Sequence, residues 1–288
     1  MATDSRGDYD ARITEAILNE AAAVIREFGF AGRHVILIGG LVPGVLVPVL
    51  DPGIEPHVGS RDIDLCLSAA LVAGDVGEYE RVETSLRKAG FEMVRKADGT
   101  RESWRWAGGR KQRVTIEFFC PATRDAPAGR LYRPGGLVGG KLCALALDAG
   151  RLLDEDNVER TVSATAGDGR VDITIRVSGL AAYVATKVDA IAGRSKNKDA
   201  YDLVWLLDAW PGGADGAAKT VRESAVWTRT ELQSALDRLE RQFAGLDDAG
   251  PRQYAQFIGG ASPDLDARHA SDSVGTFSRV LRELGRTG

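Results

Sequence analysis

The sequence predicts a mixed α/β fold (α+β in type) up to about residue 178 and an α-helical part after it. Short apolar runs of strand length, separated by turns rich in Gly, Pro or charge, recur through residues 34–178. After residue 178 the apolar residues follow helical spacing instead. The 288 residues, 44% apolar and 27% charged, have the composition of a globular protein with one large or two smaller domains. We therefore predict an α/β domain over residues 1–178 and a helical domain over residues 179–288.

The same patterns predict the individual elements. Helices are predicted over 10–28, 41–50 and 76–89, and strands over 34–38, 62–67, 91–95, 102–106, 113–119, 159–164 and 171–177. The C-terminal helices are predicted over 180–192, 199–209, 232–243 and 274–284. Spacers rich in Pro and Gly at 211–214, 247–251 and 259–263 are predicted to separate helices.

Several protein classes are disfavoured by composition. No apolar run reaches membrane-spanning length, and the N-terminus is polar and acidic rather than a secretory signal. Three dispersed cysteines without a CxxC pair argue against a disulfide framework, and three dispersed histidines argue against a zinc site. We expect a reduced, cytoplasmic protein with no membrane partner.

Charge is distributed unevenly along the chain. Residues 1–80 hold 5 Lys/Arg against 13 Asp/Glu, a net charge of −8, whereas residues 81–141 hold 14 against 6, a net charge of +8. The remainder, 142–288, holds 18 against 22. The basic segment is either a face for an anionic polymer or a solvated surface scattered over several loops. Its central residues are Arg101, Trp104, Arg105, Trp106, Arg110, Lys111 and Arg113, and the tryptophans either stack on bases or belong to the core.

An Asp-x-Asp pair is the first candidate site. Asp62 and Asp64 alternate along a predicted strand, so both point to one face. Buried together they would repel, and a divalent metal relieves that repulsion. The turn Gly39-Gly40 upstream would admit phosphates, which favours a magnesium–nucleotide site. The other interpretation places both aspartates on the solvent face of an edge strand.

Two further stretches extend this site or compete with it. Glu117 lies on a later strand between Ile116 and Phe118, and it is a candidate third carboxylate. Residues 134–142 nearly match a phosphate-binding P-loop, but Leu142 stands where the motif needs Ser or Thr. We interpret that stretch as a flexible turn before an apolar segment, 142–147.

A second cluster occupies residues 185–203. Lys187 follows an apolar run, so its stem is predicted to be partly buried, and such a lysine requires an acidic partner or a phosphate. Asp199 and Asp202 are spaced i, i+3 on the next predicted helix. The alternative is a charged helical hairpin held only by weak surface pairs.

Taken in order, these stretches resemble the AbiEii-type nucleotidyltransferases, the toxin halves of bacterial toxin–antitoxin and phage-defence systems, which include the mycobacterial MenT enzymes. The resemblance covers roughly residues 10–205. The segments that carry it are Gly39-Gly40, Ser60-Arg61-Asp62-Ile63-Asp64-Leu65, the strand with Glu117, Ala185-Thr186-Lys187 and Arg194-Ser195-Lys196-Asn197-Lys198-Asp199-Ala200-Tyr201-Asp202-Leu203.

The resemblance implies a DNA-polymerase-β-like nucleotidyltransferase fold with a mixed sheet and a helical C-terminal part that contributes to the nucleotide site. It implies transfer of a nucleotide from an NTP, dependent on Mg²⁺ or Mn²⁺, to an RNA acceptor such as the tRNA 3′ end, and a cognate antitoxin as partner. The catalytic residues it implies are Asp62, Asp64, Lys187 and Asp199. The metal ligands it implies are Asp62, Asp64 and, more weakly, Glu117. The nucleotide-binding residues it implies are Gly39, Gly40, Ser60, Arg61, Lys187, Arg194, Lys196 and Asp202.

Under this interpretation two metal ions clamp the α-phosphate, and Lys187 helps to neutralise the leaving pyrophosphate. Other functions remain open at this point. The same fold class modifies the hydroxyl groups of small antibiotics, or proteins, and a non-catalytic regulatory binding protein is a further alternative. The +8 middle segment favours a nucleic-acid acceptor over a cationic small molecule.

Overall fold

A computed structural model of the chain describes residues 5–73, 76–109, 114–133, 142–166, 169–193 and 196–286. It divides the chain into two compact units. The sheet unit comprises Arg12–Val42 and Ser60–Ser178, and the helical unit comprises Met1–Ala11, Pro43–Gly59 and Gly179–Gly288. The functional division between residues 1–178 and 179–288 stays a prediction.

The sheet unit contains one mixed β-sheet. Its strands within the described ranges are β1 (Val35–Ile38), β2 (Asp62–Leu67), β3 (Glu92–Arg95), β4 (Arg101–Gly108), β5 (Val114–Pro121), β6 (Leu131–Tyr132), β7 (Ala144–Leu147), β8 (Asn157–Ala166) and β9 (Gly169–Ser178). Their order is β3-β4-β5-β2-β1-β9-β8, and β7 pairs with both β5 and β6. β1 runs antiparallel to β2 but parallel to β9, and β2 runs parallel to β5.

The middle of this sheet is the core of the unit. All four residues of β1 are buried, as the continuous apolar run predicts for a strand that is covered on both faces. Ile116 and Phe118 on β5 are also fully buried. Each such side chain contributes roughly 1.5–3 kcal/mol through burial of apolar surface. Because β2 lies between β5 and β1, these two buried strands fix the positions of its side chains.

Helices complete the sheet unit. They are α1 (Ala11–Glu27), α3 (Ala69–Ala73), α4 (Val76–Lys88) and α5 (Gly150–Glu155), while α2 (Val42–Leu46) crosses the boundary between the units. On α1 the residues Ile17, Ala21 and Val24 form a buried stripe at helical spacing. Phe28, just after α1, places its ring 6.5 Å from that of Phe118. The amphipathic face of α1 thus leads into the core around β5.

The helical unit surrounds one buried helix. Its helices in the described residues are α6 (Leu180–Gly193), α7 (Lys198–Ala209), α8 (Gly213–Glu223), α9 (Thr230–Gln242), α10 (Ala249–Ile258) and α11 (Pro263–Arg286). α7 contacts α6, α8, α10 and α11. Because it is covered by so many neighbours, even the charged residues Lys198, Asp199 and Asp202 on α7 are buried.

Several element boundaries differ from the sequence prediction. α8 and α10 begin inside spacers that were expected to separate helices, and α11 begins at Pro263 rather than Val274. Proline fits the first turn of a helix because the N–H that it lacks has no intrahelical acceptor there. The helix predicted over 41–50 is only α2, and the apolar segment 142–147 forms β7. No helix in the described ranges combines the length and apolar character needed to span a bilayer.

Candidate active site

Asp62 and Asp64 lie on an interior strand. β2 is hydrogen-bonded to β5 on one side and to β1 on the other. Ile63 and Leu65 alternate with the aspartates and are fully buried, whereas both aspartates are half-buried. The edge-strand interpretation of this pair is therefore wrong, because β2 has neighbours on both sides. Two carboxylates fixed on one face of such a strand repel each other unless a cation or hydrogen-bond donors offset the charge.

Gly39 begins the turn after β1 and lies directly beside Asp64. Its φ is +74°, a left-handed conformation that favours glycine. A Cβ atom at this position would lie 1.9 Å from Oδ2 of Asp64. Glycine is thus required both for the backbone conformation and for the close approach to the carboxylate. Gly40 is buried in the same short 3₁₀ turn, Gly39–Leu41.

Ser60 and Arg61 lead into β2. The buried Ser60 hydroxyl accepts a hydrogen bond from the backbone N–H of Asp62 at 3.2 Å. This bond fixes the start of the strand and with it the first aspartate of the pair. Arg61 is exposed to solvent. Their predicted contacts with a nucleotide stay predictions.

Glu117 lies next to the aspartate pair but is engaged by an arginine. It is the register partner of Asp64 on β5, and its side chain is 7% exposed. Nε of Arg105 lies 3.0 Å from Oε1 of Glu117, and Nη1 of Arg105 donates to Glu102 at 3.1 Å. Burial tends to lower the pKa of Arg105, but the carboxylates of Glu117 and Glu102 outweigh it and raise that pKa. Glu117 is therefore charge-compensated by the chain itself.

The described residues contain no group of three or more His, Cys, Asp or Glu side chains placed to hold one metal ion. The protein set available beside Gly39 is thus the pair Asp62 and Asp64, whose oxygen atoms are of the kind that Mg²⁺ prefers. Magnesium is commonly held by one or two carboxylates together with substrate phosphates rather than by an all-protein cage. The pair fits that mode of binding.

In the helical unit, the second predicted cluster is a closed network of buried charges. Nζ of Lys187 lies 2.8 Å from Oδ1 of Asp199 and 2.6 Å from Oδ2 of Asp202. Lys198 and His57 both contact Oδ1 of Asp202, the histidine at 2.9 Å through Nε2. The interpretation as weak surface pairs is wrong, because every side chain in this buried charge cluster is at most 8% exposed.

Protonation in the buried charge cluster follows from its hydrogen bonds. The backbone N–H of Gly59 donates to Nδ1 of His57 at 3.0 Å, so Nε2 carries the proton and donates to Asp202. Burial lowers the pKa of His57 to about 4, which leaves it neutral at pH 7. Burial alone would raise the pKa of Asp202, but Lys187 and Lys198 hold it well below its usual range. Two ammonium groups therefore balance two carboxylates.

His57 and Lys198 are the members of this cluster that the sequence analysis missed. Lys198 and Asp202 are spaced i, i+4, a signal for a helical ion pair that could have been used. His57 is distant in sequence from the others, and no spacing rule connects it to Asp202. Of the remaining predicted residues, Lys196 is exposed, and Arg194 lies outside the described residues. So do Arg110, Lys111, Arg113 and residues 134–141 of the P-loop-like stretch.

The tryptophans of the basic segment are not a base-stacking platform as a pair. Trp106 is fully buried, and its Nε1 donates to the carbonyl of Ser103 at 3.2 Å. Trp104 is half-buried, with its ring centroid 5.9 Å from that of Phe119. Trp106 thus belongs to the core.

Comparison with known proteins adds independent information. The model of a family described as "Nucleotidyl transferase AbiEii toxin, Type IV TA system" matches residues 55–279. No match is found among curated proteins. Among solved structures, the chain is similar to an antigenic nucleotidyltransferase-like protein from Paracoccidioides brasiliensis, with a TM-score of 0.47 and 15% identity, over 84% of this chain and 93% of that one. The range matched by the family model includes Asp62, Asp64 and the buried charge cluster, but begins after Gly39.

Proposed function

Because the chain belongs to the AbiEii family of nucleotidyl transferase toxins of type IV toxin–antitoxin systems, we propose that it moves a nucleotide from an NTP to the 3′ end of a tRNA. The reaction takes place in the cytoplasm and depends on Mg²⁺ or Mn²⁺. One observation carries this proposal. Asp62 and Asp64 share one face of an interior strand, and Gly39, which approaches Asp64, admits no side chain.

The metal requirement is supported by the chemistry of this pair. Two half-buried carboxylates on neighbouring positions of one face provide hard oxygen ligands and an unfavourable concentration of negative charge. A divalent ion, when bound, withdraws charge from the phosphates and lowers the pKa of the attacking hydroxyl. In the two-metal version of the mechanism, Glu117 is the proposed third ligand, although its Oε1 is engaged by Arg105.

The chain's own residues supply positioning. The interior position of β2 fixes the two carboxylates, and the Ser60 hydroxyl fixes the backbone at Asp62. Gly39 and Gly40 carry no side chains, so the backbone of this pair is the proposed point of close approach for a polyphosphate, as the resemblance implies. Phosphoryl transfer depends mainly on such positioning and on charge neutralisation. The catalytic and nucleotide-binding roles of Lys187, Asp199 and Asp202 are proposed on the resemblance.

The RNA acceptor is supported by charge. Residues 81–141 carry a net +8 in a protein whose total is −4, and a polyanion is the acceptor that such a segment favours. A cationic antibiotic would favour an acidic segment instead. The toxin–antitoxin family also implies a cognate antitoxin as a partner.

The test is incubation of the purified chain with total tRNA and each labelled NTP in turn, with and without Mg²⁺. We expect label on tRNA with at least one NTP, and none after chelation. Asp62→Asn and Asp64→Asn are expected to lower transfer by about 10³-fold or more, since each removes a charge that holds the metal.

Asp51→Asn is the matched control, because Asp51 is an exposed aspartate in a turn. It is expected to transfer label at the rate of the unmodified chain. Full activity of both Asp62→Asn and Asp64→Asn would show that the metal-site assignment is wrong. Absence of transfer to any tRNA, combined with labelling of a small hydroxylated acceptor, would replace the RNA acceptor by a small molecule.

A further inference from the structure

A small pocket at one end of the sheet is lined by three arginines. It has a volume of about 170 Å³ and is formed by Arg87, Glu92, Met93, Arg95 and Arg101. Arg87 lies in the last turn of α4, and the other residues lie on the hairpin of β3 and β4. β3 is the last strand of the sheet order on this side. We call this group of residues the arginine pocket.

Two of the arginines face each other across the hairpin. Arg95 on β3 is the register partner of Arg101 on β4. Like charges directly opposite each other on neighbouring strands are destabilising. Among the described residues, no carboxylate forms an ion pair with either guanidinium. By contrast, Lys96, the residue after Arg95, has a carboxylate partner, because its Nζ lies 3.8 Å from Oε1 of Glu102.

Arg87 is already accounted for within the chain. Its guanidinium donates to Glu83 at 3.0 and 3.2 Å, and its position at the C-terminal end of a helix is favourable for a cation. It also lies over the ring of Trp106, 5.1 Å from the centroid. The unexplained charges in the pocket are therefore those of Arg95 and Arg101, with Glu92 as the one acidic residue of the lining.

Guanidinium groups converging on a pocket match the oxygens of a phosphate group. The arginine pocket offers no exposed aromatic ring for a base, because Trp106 is fully buried. Its ligand is thus recognised through the phosphate backbone and not through base identity.

The location favours a polymer over a small phosphate. Arg101 starts the strand whose Arg105 pairs with Glu117, and Glu117 is the register partner of Asp64. Strand spacing of about 4.8 Å and a rise of about 3.3 Å per residue put the pocket on the order of 15 Å from the aspartate pair. A nucleic-acid strand spans that separation, whereas one small molecule does not.

We propose that the arginine pocket binds a backbone phosphate of the acceptor RNA and so positions the strand for transfer at the aspartate pair. This inference rests on the proposed function, which makes RNA the acceptor. A competing explanation is that charged residues on an end strand only prevent edge-to-edge association of sheets.

The experiment measures equilibrium binding of a fluorescent tRNA, without NTP, over a series of salt concentrations. The variant is Arg95→Gln/Arg101→Gln. The matched control is Arg151→Gln/Arg268→Gln, which removes the same charge from two exposed arginines outside the pocket. The pocket variant is expected to bind roughly tenfold or more weakly, and its salt slope is expected to fall by about 1 because one phosphate contact is lost. The control variant is expected to keep most of the tRNA affinity and most of the salt slope of the unmodified chain.

Each remaining outcome decides between explanations. Equal tRNA affinity in the two double variants, or self-association of the pocket variant alone, overturns the pocket while leaving the proposed function in place. A chain that neither binds nor labels tRNA overturns the proposed function and the pocket's ligand together. Displacement of tRNA by millimolar inorganic phosphate assigns the pocket to free phosphate, and equal binding of polyglutamate through the same arginines assigns it to an acidic protein.

The folding of the pocket variant is checked by its unfolding temperature. Arg95 and Arg101 are both exposed, and their mutual repulsion disappears in the variant. The unfolding temperature is therefore expected to be unchanged or raised. Weaker tRNA binding with an unchanged unfolding temperature supports the proposal, and weaker binding accompanied by a lowered unfolding temperature overturns it.

Discussion

At the scale of single residues, the absence of a Cβ atom at Gly39 determines where the Asp64 side chain can lie. The φ of +74° at Gly39 requires glycine, as at other turns, but the missing Cβ also makes room for the carboxylate of Asp64. Gly53 separates these two requirements. It has a φ of +94°, and a Cβ there would meet nothing within 4 Å.

We predict that Gly53→Ala loses about 1–2 kcal/mol of unfolding free energy from the left-handed conformation, and that Gly39→Ala loses more because its Cβ also overlaps the Asp64 side chain. Only Gly39→Ala is expected to lose transfer activity as well, by about 10²-fold or more, since Asp64 must move. Chemical denaturation and tRNA labelling of both variants check this. Normal activity in Gly39→Ala would show that the position of Asp64 is not critical.

At the scale of elements, the sequence predicts most strands and misses some helices for identifiable reasons. Alternation of apolar and polar residues placed β2, β8 and β9 close to their observed bounds. α8 and α10 were missed because Gly and Pro in a first helical turn look the same in sequence as a loop. Short-range spacing identified the local pairs of the site. Contacts between distant segments, such as His57 with Asp202, have no local pattern.

The burial of His57 is expected to make the stability of the helical unit depend on pH. Burial lowers the pKa of His57 to about 4 from its ordinary value of 6.5. Between those two values the unfolded chain binds a proton that the folded chain does not, so stability falls as the pH is lowered from about 6.5 to about 4. The loss amounts to about 3 kcal/mol across that window, at 1.36 kcal/mol per pKa unit.

We predict that His57→Gln reduces this pH dependence, because glutamine can donate to Asp202 without titrating. His269→Gln is the control, because the hydrogen bond to Asp208 raises the pKa of His269 above 6.5 and gives the opposite slope near neutral pH. Denaturant unfolding at pH 7 and pH 5 measures both. An unchanged slope in His57→Gln would show that other groups cause the acid sensitivity.

At the scale of the whole molecule, candidate residues for nucleotide binding are divided between the two units. The aspartate pair and the glycine turn belong to the sheet unit, and the buried charge cluster belongs to the helical unit. Composition suggested the polyanionic acceptor through the +8 segment. It could not show that Lys187 is balanced by two carboxylates of its own unit, because charge balance at a buried site depends on contacts that only the folded chain makes.

Measuring the binding of NTP in the absence of tRNA separates the contribution of the aspartate pair from that of the buried charge cluster. A ligand present at 100 times its Kd stabilises the folded state by about 2.7 kcal/mol, which raises the unfolding temperature of a chain of this size by several degrees. We predict that Mg²⁺ with the preferred NTP produces this increase in the unmodified chain and in Asp51→Asn, and that Asp64→Asn loses it. Lys187→Met is expected to unfold at a lower temperature without ligand, since removing one partner leaves buried charge uncompensated. Relative to that temperature, it is expected to lose the increase produced by Mg²⁺ and NTP as well, because Lys187 is a proposed nucleotide-binding residue. If Lys187→Met keeps the full increase while Asp64→Asn does not, the sheet unit binds the nucleotide alone, and the buried charge cluster serves only to stabilise the fold.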